Sequence, residues 1–187
     1  PEELERFLDE IFAKCNIQIS VKTRLGMEDA SGFPELMKLY NKFPMKELII
    51  HPRVQKDFYK NTPNLEMFAE AFAMSTNPVC YNGDIFCVED HQRICERFPE
   101  LDAVMSGRGT LTNPALAREI RGGQALTKAE LRKFHDLVYH TYRAEVSGDR
   151  NVLFKMKELW FYMGPLFANN KKYLKKIKKS EKCIVYE

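Results

Sequence analysis

The sequence is poor in cysteine and has no long apolar run. Its five cysteines are odd in number and none stands in a C-x-x-C pair, so we expect neither a disulfide framework nor a metal site. No apolar run approaches the roughly 20 residues of a membrane helix, and no charged-then-apolar leader opens the chain. These features predict a soluble, cytoplasmic protein with reduced thiols and no membrane contact.

The chain does contain enough apolar sequence for one sizeable core, or for a domain with a small appendage, since 44% of its 187 residues are hydrophobic. The net charge of +3 is unevenly distributed. Seven lysines lie in residues 171–187 against Glu181 and Glu187, which leaves 22 basic and 24 acidic residues before them. This basic end is either a phosphate-backbone footprint or a solvated helix face with Tyr173, Leu174 and Ile177 turned inward.

Four short, apolar, β-rich segments recur, and a helical pattern separates each from the next. The segments are IQISVK (17–22), ELIIH (47–51), PVCYN (78–82) and DAVMS (102–106). Such alternation is typical of a parallel sheet, because parallel neighbours need a crossover connection. It also excludes a hairpin at Asn82-Gly83, since the helical pattern VEDHQRICERF follows. The spacing therefore predicts an α/β fold with four parallel strands.

The pattern becomes entirely helical after the fourth strand. A short helix within GRGTLTNPALAREIRGG ends at Gly122-Gly123, and a longer one starts on the capping box formed by Thr127 and Glu130. RNVLFKMKELWFYM and the lysine-rich end continue the helical pattern. We therefore predict two domains, a sheet domain of residues 1–123 and a helical domain of residues 124–187.

Polar residues lie at the carboxyl ends of all four predicted strands, where parallel sheets and barrels bind ligands. The strands deliver, in order, Lys22, Arg24 and Gly26; His51 and Arg53; Asn82, Gly83 and Asp84; and Gly107, Arg108 and Gly109. The glycines around Arg108 let the backbone approach an anion, although an ordinary turn explains them equally well. His51 could instead be a structural histidine, and Lys22 could pair with Asp84 or Glu28.

Each strand end also carries a longer motif. VKTRLG is similar to V-K-x-R-x-G, HPRVQKDFYK to H-G-R-T-x-x-x-x-Y, PVCYNGDI to P-V-x-x-N-G-D-I, and DAVMSGRGTLTNP to D-x-V-M-I-G-R-G-x-x-x-N-P. In this order the four segments resemble the dihydrouridine synthases, flavin enzymes that reduce uridines in tRNA. KMKELWFYM resembles, more loosely, the start of that family's helical tRNA-binding domain. The resemblance implies the C-terminal half of a (βα)8 TIM barrel followed by a small all-helical domain.

The resemblance also implies roles for individual residues. The implied FMN-binding residues are Lys22, His51, Asn82, Gly83, Asp84, Gly107 and Arg108. The implied tRNA-facing residues are Arg24, Arg53, Lys171, Lys172 and Lys175. In the family, NADPH reduces FMN, hydride then passes to C6 of a flipped-out uracil, and a cysteine protonates C5.

The sequence departs from the family pattern in two ways. Pro52 and Val54 replace a glycine and a threonine of the second motif, which removes a backbone N–H and a hydroxyl. The family segment N-x-G-C-P, which carries the catalytic cysteine, is missing, and none of the five cysteines has that context. We therefore name no catalytic residue, and we expect this chain to be an incomplete part of the enzyme that is inactive alone.

Two other functions stay open. The first is a TIM-barrel oxidoreductase that binds a flavin or phosphate and acts on a small molecule, although such an enzyme has no need of a lysine-rich helical extension. The second is a non-catalytic RNA-binding protein. A half barrel would also expose unpaired strand edges, which predicts a homodimer or pairing with the missing N-terminal half.

Overall fold

The computed structural model describes residues 2–187, so Pro1, where the predicted first domain begins, lies outside the described residues. Strands and helices alternate as α1 (Glu2–Lys14), β1 (Ser20–Gly26), α2 (Phe33–Tyr40), β2 (Glu47–Val54), α3 (Leu65–Met74), β3 (Val79–Tyr81), α4 (Val88–Arg97) and β4 (Ala103–Val104). The four strands form one parallel sheet in the order β1-β2-β3-β4. The predicted α/β fold, a partial TIM barrel followed by helices, is confirmed.

β2 is a central strand of this sheet. It pairs with β1 on one side and with β3 on the other, and all its residues after Glu47 are buried. Leu48 and Ile50 are fully buried, as are Phe33 and Met37 of α2. Burial on both faces explains why Leu48, Ile49 and Ile50 form a continuous apolar run that does not alternate with polar residues.

β1 differs from its predicted bounds. Ile17 is 74% exposed and precedes the strand, and the pairing with β2 begins at Ser20, opposite Glu47. At the other end the pairing continues past Lys22 and Arg24 as far as Gly26. Arg24 and Gly26 were predicted to follow the strand, whereas they lie within it. The reason is that parallel pairing satisfies their backbone regardless of side-chain polarity.

The remaining helices begin after β4. They are α5 (Arg108–Thr112), α6 (Leu116–Ile120), α7 (Lys128–Glu145), α8 (Asp149–Met163), α9 (Asn170–Lys179) and α10 (Cys183–Tyr186), with 3-10 turns at Gln55–Asp57 and Gly164–Leu166. The predicted capping box is confirmed, because Thr127 accepts from the Glu130 N–H while Glu130 accepts from the Thr127 N–H. Hydrogen bonds from Arg118, and then from Thr127, lower the pKa of Glu130 to about 2.

The chain divides into two compact units. The sheet unit is Pro1–Asp84 with Gln92–Ser106, and the helical unit is Ile85–His91 with Gly107–Glu187. The boundary after residue 123 stays a prediction. The core of the helical unit consists of Leu131, Tyr139, Val152, Leu153, Met156, Leu159, Met163 and Cys183.

Two kinds of functional feature are absent from residues 2–187. No helix there combines the length and apolar character that a bilayer crossing requires. No cluster of three or more histidine, cysteine or acidic side chains in that part of the chain could hold a metal ion.

Candidate functional site

Polar residues of three strands meet at the carboxyl end of the sheet unit. Arg24 of β1 lies in register with His51 of β2. The backbone N–H of Asn82 donates to the Ile50 carbonyl at 2.9 Å, which sets the segment after β3 beside the end of β2. The structure thus brings together predicted site residues that are about 30 positions apart in the sequence, because parallel strands end at the same edge.

Arg53 lies inside this site and is only 2% exposed. Its Nη1 and Nη2 donate to the two carboxylate oxygens of Asp84, at 3.1 and 2.5 Å. Its Nε donates to the Asn61 carbonyl at 2.6 Å, and Nη1 also lies 3.2 Å from Nε2 of His51. Arg53 was expected to face tRNA, but its guanidinium is buried. The ion pair with Asp84 offsets part of the desolvation cost of burying the guanidinium.

His51 is a buried, uncharged imidazole at neutral pH. Burial, followed by the positive charges of Arg24, Lys22 and Arg53, lowers its pKa to about 4. The ring of Tyr59 stacks on it, with the ring centroids 6.2 Å apart. His51 is therefore available to exchange hydrogen bonds with a ligand, but not to carry charge.

Lys22 and Arg24 supply the positive charge of the site. Burial is the first cause that lowers the pKa of Lys22, and the neighbouring Arg24 is the second. Arg24 donates from Nη1 to the Val54 carbonyl at 3.1 Å, and its guanidinium lies over the Tyr59 ring. Asp84 and Glu28, the two partners suggested for Lys22, form ion pairs with other residues. Asp84 pairs with Arg53 and Glu28 with Lys56.

Asn82 and Gly83 are both fixed by close neighbours. Asn82 donates from Nδ2 to the Met105 carbonyl at 2.8 Å, which leaves Oδ1 as the acceptor end of the amide. A Cβ added at Gly83 would overlap the ring and hydroxyl of Tyr81. Glycine is therefore required here by the packing of β3, independently of any ligand.

Gly107 and Arg108 belong to the helical unit. A Cβ added at Gly107 would meet nothing within 4 Å, so its backbone lies beside open space. Thr110 closes the turn by donating from Oγ1 to the Gly107 carbonyl at 2.7 Å. The guanidinium of Arg108 lies 5.3 Å from the centre of the Phe86 ring. An open backbone followed by an arginine is suited to an anion.

The lysines of α9 are exposed, including Lys171, Lys172 and Lys175. Tyr173, which one interpretation turned inward, is 58% exposed, whereas Leu174 and Ile177 are half-buried. An aromatic ring thus lies among the lysines on the solvent side, as nucleic-acid-binding surfaces often have.

All five cysteines are free thiols, and Cys80 and Cys183 are buried. Burial raises the pKa of Cys80 to about 11, so this thiol stays protonated at neutral pH. Cys87 is exposed, yet its pKa is also raised, by desolvation first and then by a hydrogen bond with Glu89. Neither cysteine beside the Asn82-Gly83-Asp84 segment is an activated thiol.

The contacts that the loop after β2 makes with the site residues were not predicted from the sequence. Tyr59 contacts both His51 and Arg24, and Asn61 accepts from Arg53. Phe58, the neighbour of Tyr59, has a φ of +49° and is 65% exposed. The one signal in the sequence was the tyrosine at the end of the second motif.

Comparisons with known proteins converge on one group. The family model described as "Dihydrouridine synthase (Dus)" matches residues 1–183. The tRNA-dihydrouridine(16) synthase of Aquipseudomonas alcaligenes is 28% identical over 127 residues, which cover 67% of this chain and 40% of that protein. That of Cupriavidus necator is 32% identical over 124 residues, covering 65% of this chain and 38% of that protein.

A third relative extends the same finding. The tRNA-dihydrouridine(16) synthase of Pseudomonas syringae pv. tomato is 31% identical over 109 residues, 58% of this chain and 34% of that protein. The chain thus matches between a third and two fifths of the length of these curated relatives.

Proposed function

Because this chain belongs to the dihydrouridine synthase family, we propose that it forms the C-terminal half of an FMN- and NADPH-dependent enzyme that reduces uridine to dihydrouridine in tRNA. One observation carries the proposal. The polar residues of the family motifs, Lys22, His51 and Asn82 among them, lie together at the carboxyl end of the sheet, where such folds bind ligands.

The residues present fit FMN by their chemistry. A flavin has ring carbonyls and nitrogens that accept hydrogen bonds, together with a ribityl chain and an anionic phosphate. Lys22, a partly desolvated cation, and His51, a neutral imidazole, would contact the ring, and the Asn82 amide and the segment Gly83-Asp84 would hold the ribityl chain. When bound, FMN supplies the hydride that NADPH has delivered to it.

By its resemblance to the family's fourth motif, the turn at Gly107 and Arg108 would be a phosphate-binding segment of the helical unit. The open space beside Gly107 allows a phosphate oxygen to reach the backbone, and Arg108 adds a positive charge. The Asp84 carboxylate also balances the charge of Arg53, because both of its oxygens accept from that guanidinium.

The proton that completes uridine reduction would come from outside these 187 residues. Cys80 is a buried thiol with a raised pKa, and no cysteine in the sequence stands in the N-x-G-C-P context that the family uses. We therefore propose that residues 1–187 bind and orient, while proton donation to C5 belongs to the other half of the barrel.

Flavin titration and a uridine-reduction assay test this function. The 187-residue chain is expected to bind FMN, as measured by quenching of flavin fluorescence, and Lys22→Met is expected to weaken binding about tenfold. The matched control is Lys38→Met, an exposed lysine of the same unit, which should leave the affinity unchanged. With FMN, NADPH and unmodified tRNA, the chain alone should form no dihydrouridine.

Three outcomes would contradict parts of the proposal. Dihydrouridine formed by the isolated chain would show that residues 1–187 are sufficient. FMN affinity that Lys22→Met leaves unchanged would remove the proposed contact. Salt-dependent tRNA binding without any flavin binding would favour a non-catalytic RNA-binding protein, which the exposed lysines of α9 also suit.

The α9 lysines give a separate prediction for tRNA binding. Replacing Lys171, Lys172 and Lys175 by glutamine is expected to reduce the slope of log affinity against log salt by about 3, since each phosphate contact contributes about one. Filter binding or fluorescence anisotropy over a salt series measures the slope. A variant with Lys14, Lys38 and Lys46 replaced removes equal charge from exposed positions elsewhere and should keep the original slope. Equal slopes in the two variants would assign the effect to net charge alone.

A further inference from the structure

Arg53 has an unusual environment for an arginine. Among residues 2–187 it is the one arginine, lysine or acidic side chain that is buried. Arginine is found in the interior only when its charge is paired and its donors are used. Here the donors hold three segments, namely Asp84 after β3, the Asn61 carbonyl in the loop after β2, and His51 on β2 itself.

The contact with His51 fixes where the imidazole proton resides. A guanidinium has only donors, so Nη1 of Arg53, 3.2 Å from Nε2 of His51, requires a lone pair on that nitrogen. Nε2 therefore has no proton, and a neutral imidazole then carries its proton on Nδ1. A protonated imidazole would direct an Nε2–H at the guanidinium, which is unfavourable in both hydrogen bonding and charge.

The contact with Asp84 fixes the counter-charge. Both carboxylate oxygens accept from Arg53, so the carboxylate is held in a bidentate arrangement. The charged groups acting on His51 are Lys22 and Arg24 from β1, Arg53 from β2 and Asp84 from the segment after β3. Three of these four are cations, and together with burial they keep the ring neutral.

We propose that Arg53 is a positioning residue that holds His51 as the neutral tautomer with its proton on Nδ1 and fixes Asp84 beside it. His51 then offers an N–H donor, and not a lone pair, to a ligand at this strand end. The identity of that ligand rests on the proposed function, whereas the tautomer does not. This role differs from direct contact with tRNA, which the sequence suggested for Arg53.

Nitrogen NMR of the four histidines in the full 187-residue chain tests the tautomer directly. In the wild-type protein, His51 should show a protonated Nδ1 and an unprotonated Nε2, and this pattern should persist as the pH falls from neutrality to about 5, below the usual histidine pKa. A proton on Nε2, or a doubly protonated ring at about pH 6, would overturn the proposal without any mutation.

Two variants extend the test. Arg53→Met removes the donor, so the proton of His51 is expected to redistribute between its two nitrogens, and the pKa of His51 should rise above about 4 while burial, Arg24 and Lys22 continue to lower it. Arg53→Lys keeps one donor and the charge, and it should retain the wild-type tautomer. His135 of the helical unit, with Nδ1 2.8 Å from Asp136, is the internal control and should not change. An Arg53→Met protein with wild-type His51 signals would overturn the proposal.

Folding and function are separated by measurements on the same samples. Dispersed amide signals establish whether each variant is folded, and if Arg53→Met is not, the wild-type and Arg53→Lys spectra still decide the question. An FMN titration of the wild-type sample addresses the proposed function. Absence of FMN binding with the expected tautomer contradicts only the proposed function, whereas FMN binding with the wrong tautomer contradicts only the role of Arg53.

Discussion

Replacing Phe68 of α3 by alanine is expected to lower the free energy of unfolding of the sheet unit by about 4 kcal/mol. Phe68 is fully buried, and its ring packs edge to face on Tyr81 and Phe98, with centroids 4.9 and 5.0 Å away. Alanine leaves a cavity that these two rings cannot fill, because each is held by its own strand or helix end. The ring thus connects α3 to β3, the strand that ends next to Asn82.

Urea unfolding followed by far-UV circular dichroism measures this loss. Trp160, the only tryptophan of the sequence, lies in the helical unit, so its fluorescence reports that unit separately. Phe7→Ala is the matched control, because Phe7 is 57% exposed and its removal should change stability by less than about 0.5 kcal/mol. A loss below about 1 kcal/mol for Phe68→Ala would show that the core collapses around the gap.

Replacing Asp84 by asparagine is expected to cost about 4 kcal/mol of stability, by a different mechanism. The Arg53 side chain is 1% exposed, and its partner Asp84 is 31% exposed. The amide of asparagine keeps one acceptor but removes the negative charge and directs a donor at the guanidinium, which leaves a buried cation without its counter-charge.

An exposed ion pair of the same type provides the control. Arg97 donates to Glu66 at 2.6 Å, but Glu66 is 82% exposed, so Glu66→Gln should cost at most about 1 kcal/mol. Both variants exchange one carboxylate for an amide opposite an arginine in the same unit. Equal losses of unfolding free energy in the two variants would show that burial of Arg53 does not strengthen its dependence on Asp84.

Much of the fold was predictable because its signals are local. The parallel order of four strands follows from the spacing of IQISVK, ELIIH, PVCYN and DAVMS, and the start of α7 from its capping box. The bounds of β1 were less predictable. Its register depends on β2. The strand begins where pairing starts opposite Glu47, and not at the apolar residue Ile17.

The candidate site was likewise predictable only in part. The positions of Lys22, His51 and Asn82 near strand ends were predicted, because alternation puts the ends of parallel strands at one edge. The contacts of Tyr59 and Asn61 were not predicted, since the loop that contains them has no periodic pattern.

The sequence by itself determined the alternating architecture, the family and the set of polar residues near the strand ends. Only the tertiary structure decided that Arg53 points into the protein, pairs with Asp84 and contacts His51. Arg53 and Asp84 are 31 positions apart, and whether a guanidinium at a strand end is solvated or buried depends on whether folding brings a carboxylate to it. The outcome depends on the desolvation cost of the guanidinium and on the energy of its ion pair. Both are defined only after the strands have assembled.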